Sequence, residues 1–452
     1  MASRLLSSTL QAPTGLSKQL VRPFASAAKQ GAATRTTTLS NGFTVATEEN
    51  PNAGAATVGV WIDAGSRLES AQTHGVANLL GRVAFNGKAS SLEKFGGVST
   101  AGVTREQTFF ATKTLGSNVS ESVAVLGDLV QNVDSTAIDG VRQSIVQQQE
   151  AQDAKQIVFD HLYATAFQGE ALGRPVAGYK ESLESLTAKD LNEFHKQNYA
   201  ANKMVLVGAG DVDHDALVRE AEKAFGGLAH VTETTLEKPA FTGSEIRLRD
   251  DVLPRAEVAL AVEGAGYLTP EYFNLLVMQS IIGSYDRTLS GAANLTSRLS
   301  ATVHNSHLAD SFVSFYKAHK DTGLWGMYFA SSNRTQLDDF VHFMQKEWIR
   351  LSTTVTESEV EIAKRQLLGR VLLSKDSTCA AAEDIGNQVL ASGKRLSPEE
   401  IKEKISKISL DDVRRTASKY LWDQEIAVVG YGPIEGLTDL NRVRGNMAYN
   451  RF

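Results

Sequence analysis

The sequence predicts an α+β fold built from two homologous domains, each a mixed, mostly antiparallel sheet packed with helices. Three observations carry this. At 452 residues the chain is long enough for two domains of about 200 residues, each with its own core. Short alternating runs typical of strands are interleaved with longer stretches of three-and-four apolar spacing, which suits segregated α+β layers better than a parallel sheet. Finally, one unit occurs twice: LTAKDLNEFHKQNYAANKMVLVGAGDV from Leu186 runs beside ISLDDVRRTASKYLWDQEIAVVGYGPI from Ile408, at a constant offset of 222 and without a gap. Asp190 falls on Asp412, Leu191 on Val413, Gly208 on Gly430 and Gly210 on Gly432. Two halves with one fold follow. The polar segment HVTETTLEKPAFTGS marks the joint, which sets expected domains at 25–235 and 249–452 with a linker at 236–248.

The N-terminus is set apart by charge. No Asp or Glu precedes Glu48, whereas Arg4, Lys18, Arg22, Lys29 and Arg35 do. Arg4 with Leu5, Leu6, Leu10 and Leu16 makes a basic amphipathic face, the composition of a mitochondrial transit peptide. Arg22-Pro-Phe-Ala resembles a matrix processing site, so residues 1–24 are expected to be removed by cutting between Phe24 and Ala25.

From residue 36, TTTLSNGFTVATEEN reads as a hairpin turning at Asn41-Gly42, and the sheet continues through AATVGVWIDAGS. A helix is expected from about Thr73 to Phe85, then two strands in FGGVSTAGVTREQTFFATKTL. SESVAVLGDLVQNV and the run from Ile138 to Phe167 have helical spacing. MVLVGAGDVDHDALVREAEKAFGGL imitates a dinucleotide fingerprint, but Asp213 stands at the third glycine position, where a carboxylate repels pyrophosphate. Asp213 is better read as the cap of a helix with the stripe Leu217, Ala221 and Phe225, stopped by Gly226-Gly227. In the second half, strands in SEIRLRDDVLPRAEVALAVEGAG lead to a helix, EYFNLLVMQSIIGSYD.

The chemistry turns on residues 74–82, HGVANLLGR, set between GVWIDAGSRLES and VAFNGK. This stretch resembles the inverted zinc helix of the pitrilysin and mitochondrial processing peptidase family, whose core reads His-x-x-Glu-His. Two imidazoles four apart on one helix face grip a zinc ion, and the Glu activates its water. Here those positions read Asn78, Gly81 and Arg82. An amide is a poor zinc ligand, glycine takes no proton, and a guanidinium stays charged against a dication. The family's third ligand is a Glu on a later helix; the matching run SIVQQQEAQD puts Gln148 there, and a shift of two residues offers Glu150 instead. The helix EYFNLLVMQSIIGSYD takes the equivalent place in the second half and also lacks a ligand pair. The expectation is therefore no catalytic residue, no metal and no cofactor.

Other chemistries find no support. No P-loop and no Gly-x-Ser-x-Gly elbow occurs. His304 and His307 read as a solvated loop pair, His74 as a turn or cap residue, and Trp325 as a core or interface aromatic. Glu399-Glu400 and Asp411-Asp412 read as exposed helix starts. The single cysteine, Cys379, excludes an internal disulfide and is expected to be a buried small apolar residue. A formal net charge of -6 argues against nucleic acid, and no apolar run approaches the roughly 18 residues that cross a bilayer.

The resemblance spans about Thr36 to Phe452. Within the family it is to the core subunits of mitochondrial ubiquinol:cytochrome c oxidoreductase, complex III, through HLYATAFQG, FTGSEIRLRDDVLP, KDTGLWGMYF, TESEVEIAKRQLL and GYGPIEGLTDLNRVRGNM. It implies a peripheral subunit on the matrix side of the inner membrane, without a redox centre, serving assembly and stability. The implied partners are core protein 2, cytochrome b, cytochrome c1, the Rieske protein and small subunits in a dimeric complex, extending to a supercomplex with cytochrome c oxidase. The competing implication is a β-type or peptide-binding subunit of a processing peptidase. The Gly-rich peptide loop of the alpha-type partner has no counterpart here, since the SGAAN run at 290–294 is too short.

Overall fold

The computed structural model describes residues 33–449 apart from 95, 134–136, 233–235 and 290–296. The expected transit peptide, residues 1–24, and the SGAAN run lie outside the described residues. The first half runs β1 (Arg35–Thr38), β2 (Thr44–Glu49), β3 (Ala56–Ile62), α1 (Val76–Glu93), β4 (Val98–Val103) and β5 (Thr108–Thr114). It continues through α2 (Val119–Gln131), α3 (Ile138–Glu150), α4 (Ala154–Ala166), α5 (Lys180–Ser185), α6 (Ala188–Asn198), β6 (Met204–Gly210) and α7 (His214–Phe225). The second half runs β7 (Glu245–Arg249), β8 (Ala256–Ala265), α8 (Tyr272–Ile282), β9 (Ser284–Asp286), α9 (Arg298–Ser306), β10 (Ser311–Ala318) and β11 (Thr322–Ser331). After these come α10 (Leu337–Thr353), α11 (Glu357–Leu373), α12 (Thr378–Ser392), α13 (Pro398–Ser406), α14 (Leu410–Tyr420), β12 (Ala427–Gly432) and α15 (Leu440–Tyr449).

The sheet orders β1-β2-β6-β3-β5-β4 and β7-β12-β8-β11-β10-β9 superpose strand for strand over β2-β6-β3-β5-β4 and β7-β12-β8-β11-β10. Each sheet is antiparallel except for one parallel pair, β2 with β6 and β7 with β12. The fold is α+β with two homologous domains. The repeated unit is α6-β6 against α14-β12, and both helices open on capping boxes, Thr187 with Asp190 and Ser409 with Asp412. Both strands end on a left-handed glycine, Gly210 at φ 101° and Gly432 at φ 97°, where a side chain would be strained. Asp213 caps α7 as expected, accepting from the Ala216 amide, and Leu217, Ala221 and Phe225 are buried.

Several expectations need revision. The helix placed at Thr73–Phe85 runs Val76–Glu93, because the left-handed Gly75 starts it and buried Leu92 carries its apolar stripe onward. The run 138–167 is two helices broken at 151–153, where Asp153 adopts an extended backbone. Cys379 is exposed, in the first turn of α12 beside the Thr57 hydroxyl. His304 lies in the last turn of α9, 3.1 Å from the Tyr285 hydroxyl, and His307 is its left-handed C-cap rather than a loop residue. The second sheet already begins at Glu245, so β7 occupies the last residues of the expected 236–248 linker.

The two halves are not separate bodies: the described residues from 33 to 449 form one compact unit. Helices are exchanged between them. α4 of the first half packs on β8 and β12 of the second, and α12 of the second packs on β3 and β6 of the first. Val158, Leu162, Ala166 and Phe167 thus cover Ala259, Ala261 and Val429, while Ala382, Ile385 and Val389 cover Trp61, Val205 and Val207. Burying Ile385 and Val389 contributes roughly 1.5–3 kcal/mol each. This is why β3, β6 and β11 are buried along their whole length and largely apolar, being covered on both faces.

Charge ties the same joint. The turn between β4 and β5 meets the equivalent turn between β10 and β11. Arg67, 6% exposed, donates to Glu106 at 2.8 Å and to Asp321 at 2.6 and 3.0 Å. Lys320 donates to Asp63 at 2.6 Å, and the His319 ring meets the Tyr163 hydroxyl at 3.0 Å.

Candidate functional site

Helix α1 carries the site, and its start is capped from a distance. Its N-cap, Gly75, has no side chain to offer, so the buried Glu69 takes that role. One Glu69 oxygen accepts from the Gly75 amide and the other from the Ala77 amide, both at 2.8 Å. Burial pushes the Glu69 carboxyl up to about 8, against the pull of those amides and of Arg174. His74 is buried beside it, its ring 4.9 Å from that of Tyr179, and neither nitrogen has a hydrogen-bond partner. Burial, with Arg174 as a second cause, holds it down to about 4, so it is neutral. His74 is therefore a buried turn residue at the helix entrance, as the sequence suggested.

One turn into the helix, Asn78 and Arg82 share a face, and Arg82 Nε donates to Asn78 Oδ1 at 3.1 Å. Helix α3 buries Ile138, Val141 and Ile145 in the same core as Leu79 and Val83, which fixes its angle. Gln148, the next turn along, then receives Arg82 Nη1 on its Oε1 at 2.5 Å. Glu150, the alternative from sequence, is instead 4.0 Å from Lys180 at the surface. The structure brings together Asn78, Arg82 and Gln148. Gly81 faces Val103: a Cβ there would stand 2.8 Å from Val103 Cγ2.

This donor set does not fit a zinc ion. The amide oxygens of Asn78 and Gln148 are engaged by a guanidinium, which stays charged although burial lowers its pKa. Among the described residues no three His, Cys, Asp or Glu side chains gather to hold a metal.

The triad opens on a cavity of about 1090 Å³ between the halves. Its walls include Phe85, Phe110, Phe159, Phe315 and Tyr328, with Arg105, Lys155 and Lys317 among them. Sequence reasoning missed these cations and the Arg67–Glu106–Asp321 cluster. For Arg105, Glu106 and Asp321 the signal was charge in equivalent strand turns, TREQT and AHKDT, which does not name a partner 254 residues away, and Arg67, Lys155 and Lys317 lie outside those turns.

Similarity to known proteins agrees with this architecture. A family model described as insulinase (peptidase family M16) matches residues 44–180, and one described as peptidase M16 inactive domain matches residues 185–367. The mitochondrial-processing peptidase subunit beta of Lentinula edodes is 45% identical, covering 99% of this chain and 99% of that protein. The mitochondrial cytochrome b-c1 complex subunit 1 of Homo sapiens is 40% identical over 93% of this chain and 90% of that protein. A chain of complex III2 from Candida albicans, Inz-5 bound, superposes with a TM-score of 0.86 at 34% identity, over 92% of this chain and all of that one. Two sheets of one topology, family models that together span most of the chain and relatives covering nearly its full length lead to one assignment: the chain belongs to peptidase family M16.

Proposed function

We propose that this chain is a non-catalytic core subunit of the core protein 1 type in respiratory complex III, peripheral on the matrix side of the mitochondrial inner membrane. The observation that carries the reading is the bonded Asn78–Arg82–Gln148 triad, whose residues this reading aligns with the family's metal ligands and which offers a guanidinium instead of donors. The match to a complex III chain over its whole length supports it. In this reading residues 1–24 direct import, 25–235 form the first peptidase-like domain, the joint runs from 236 to 244, and the second domain begins with β7 at Glu245. The partners are core protein 2, cytochrome b, cytochrome c1, the Rieske protein and small subunits in a dimeric complex, which joins cytochrome c oxidase in a supercomplex.

A second reading, a β-type or peptide-binding subunit of a processing peptidase, is favoured by one finding. Its fungal namesake is 45% identical, against 40% for the human complex III subunit. Two measurements on the natively purified protein separate them. The scaffold travels with b- and c-type haem absorbance and holds no stoichiometric zinc; bound zinc together with presequence cleavage would remove that reading.

A further inference from the structure

The side chains at this position present a cation instead of metal donors, and the geometry points to a carboxylate-binding site centred on Arg82, which takes an anionic group carried on an apolar body. This rests on the reading of a non-metal site and names the ligand chemistry that replaces the metal. Arg82 spends Nε on Asn78 and one Nη1 proton on Gln148. Its second Nη1 proton and both Nη2 protons have no partner among the described residues. That leaves the end of the fork that a carboxylate grips with two parallel bonds. No carboxylate lies within ion-pair distance of Arg82 among the described residues, and burial alone lowers its pKa.

The rest of the cavity repeats the sign. Of its other cations, only Arg105 is neutralised, by Asp160 at 3.2 Å. Lys155 lies over the Tyr328 ring at 5.3 Å, and Lys317 is held below its ordinary pKa by burial and then by Lys155 and Arg105. Asp153 is the one lining carboxylate left to oppose Arg82, Lys155 and Lys317. Apolar walls with a few convergent charges describe a ligand site, and in a recessed space the field of three cations is focused. A basic segment, such as this chain's own residues 1–24, meets repulsion there.

The test uses the full-length chain and fluorescence anisotropy. The probes are a pentapeptide alternating Phe with Glu and its twin alternating Phe with Lys, both carrying an uncharged dye. The acidic peptide is expected to bind at least about tenfold more tightly at low salt, with the gap closing at about 0.5 M salt. Arg82→Gln removes most of the gap, Arg82→Lys restores part of it, and Lys317→Met narrows it independently with the thermal midpoint unchanged. Competition with dodecanoate assigns the source: displacement marks a free amphiphilic carboxylate, and its absence a peptide side chain. Equal or tighter binding of the basic peptide, or no binding of either acid, overturns the site. Those outcomes leave the haem and zinc measurements untouched, so the failure of this site and the failure of the scaffold reading are distinguishable.

Discussion

A Cβ built on Gly386 would stand 2.3 Å from Cδ2 of Trp61, so helix α12 meets the first sheet through the one residue type that leaves room for the indole. Replacing a mid-helix glycine by alanine ordinarily stabilises by about 0.5–1 kcal/mol. Here Gly386→Ala should destabilise by about 1–3 kcal/mol, the cost of overpacking. Gly369→Ala in α11, where nothing lies within 4 Å, should show the ordinary gain. Thermal midpoints of the two variants, moving in opposite directions, check this.

Arg67→Met should cost about 3–5 kcal/mol, because it leaves Asp321 without its cation beside Glu106, which then keeps only the His319 ring and the Lys320 amide, in a poorly solvated joint. Adding Glu106→Gln should recover part of the loss. A double-mutant cycle in denaturant midpoints reads the coupling.

The entrance to α1 makes stability depend on pH in two directions. Glu69 titrates near 8 when folded against an ordinary 4.5, so between those values the folded chain holds a proton that the unfolded one lacks. Stability therefore falls as pH rises through that window. His74 titrates near 4 when folded against 6.5, so stability falls as pH drops from 6.5 toward 4. In melting curves, Glu69→Gln should flatten the decline between pH 6.5 and 8. His74→Phe should flatten the acid side, since it removes the titrating ring, whose Nε2 lies 3.8 Å from Glu69 Oε2.

Rebuilding the metal site should need more than ligands. Asn78→His alone should bring neither zinc nor peptide cleavage, because Gly81 and Arg82 still deny the water its base and the metal its second imidazole. Combining it with Gly81→Glu, Arg82→His and Gln148→Glu supplies the donors, yet a side chain at 81 runs into Val103. Val103→Ala in that background should raise zinc affinity on the order of tenfold, the size of an outer-shell effect. Elemental analysis after dialysis measures it.

The repeated unit was legible because its signals are local: Asp190 and Asp412 cap their own helices, and Gly210 and Gly432 end their own strands. That Asn78, Gly81 and Arg82 share one helix was legible for the same reason. What they do together was not, since Arg82 and Gln148 are 66 residues apart and only the packing of α3 on α1 joins them. Cys379 was misjudged from the usual burial of its residue type; its place in the first turn of α12 turns it to solvent. The exchange of α4 and α12 left no trace, because an apolar stripe records that a face is covered and not by which half.

That exchange dictates an order of events at birth. β3 and β6 are complete by Gly210, yet the helix that roofs them ends at Ser392. A nascent chain therefore carries an uncovered apolar floor around Trp61 and Val207 until nearly all of it has emerged. A gene split at the joint would yield two fragments that each lack a lid, soluble only when made together.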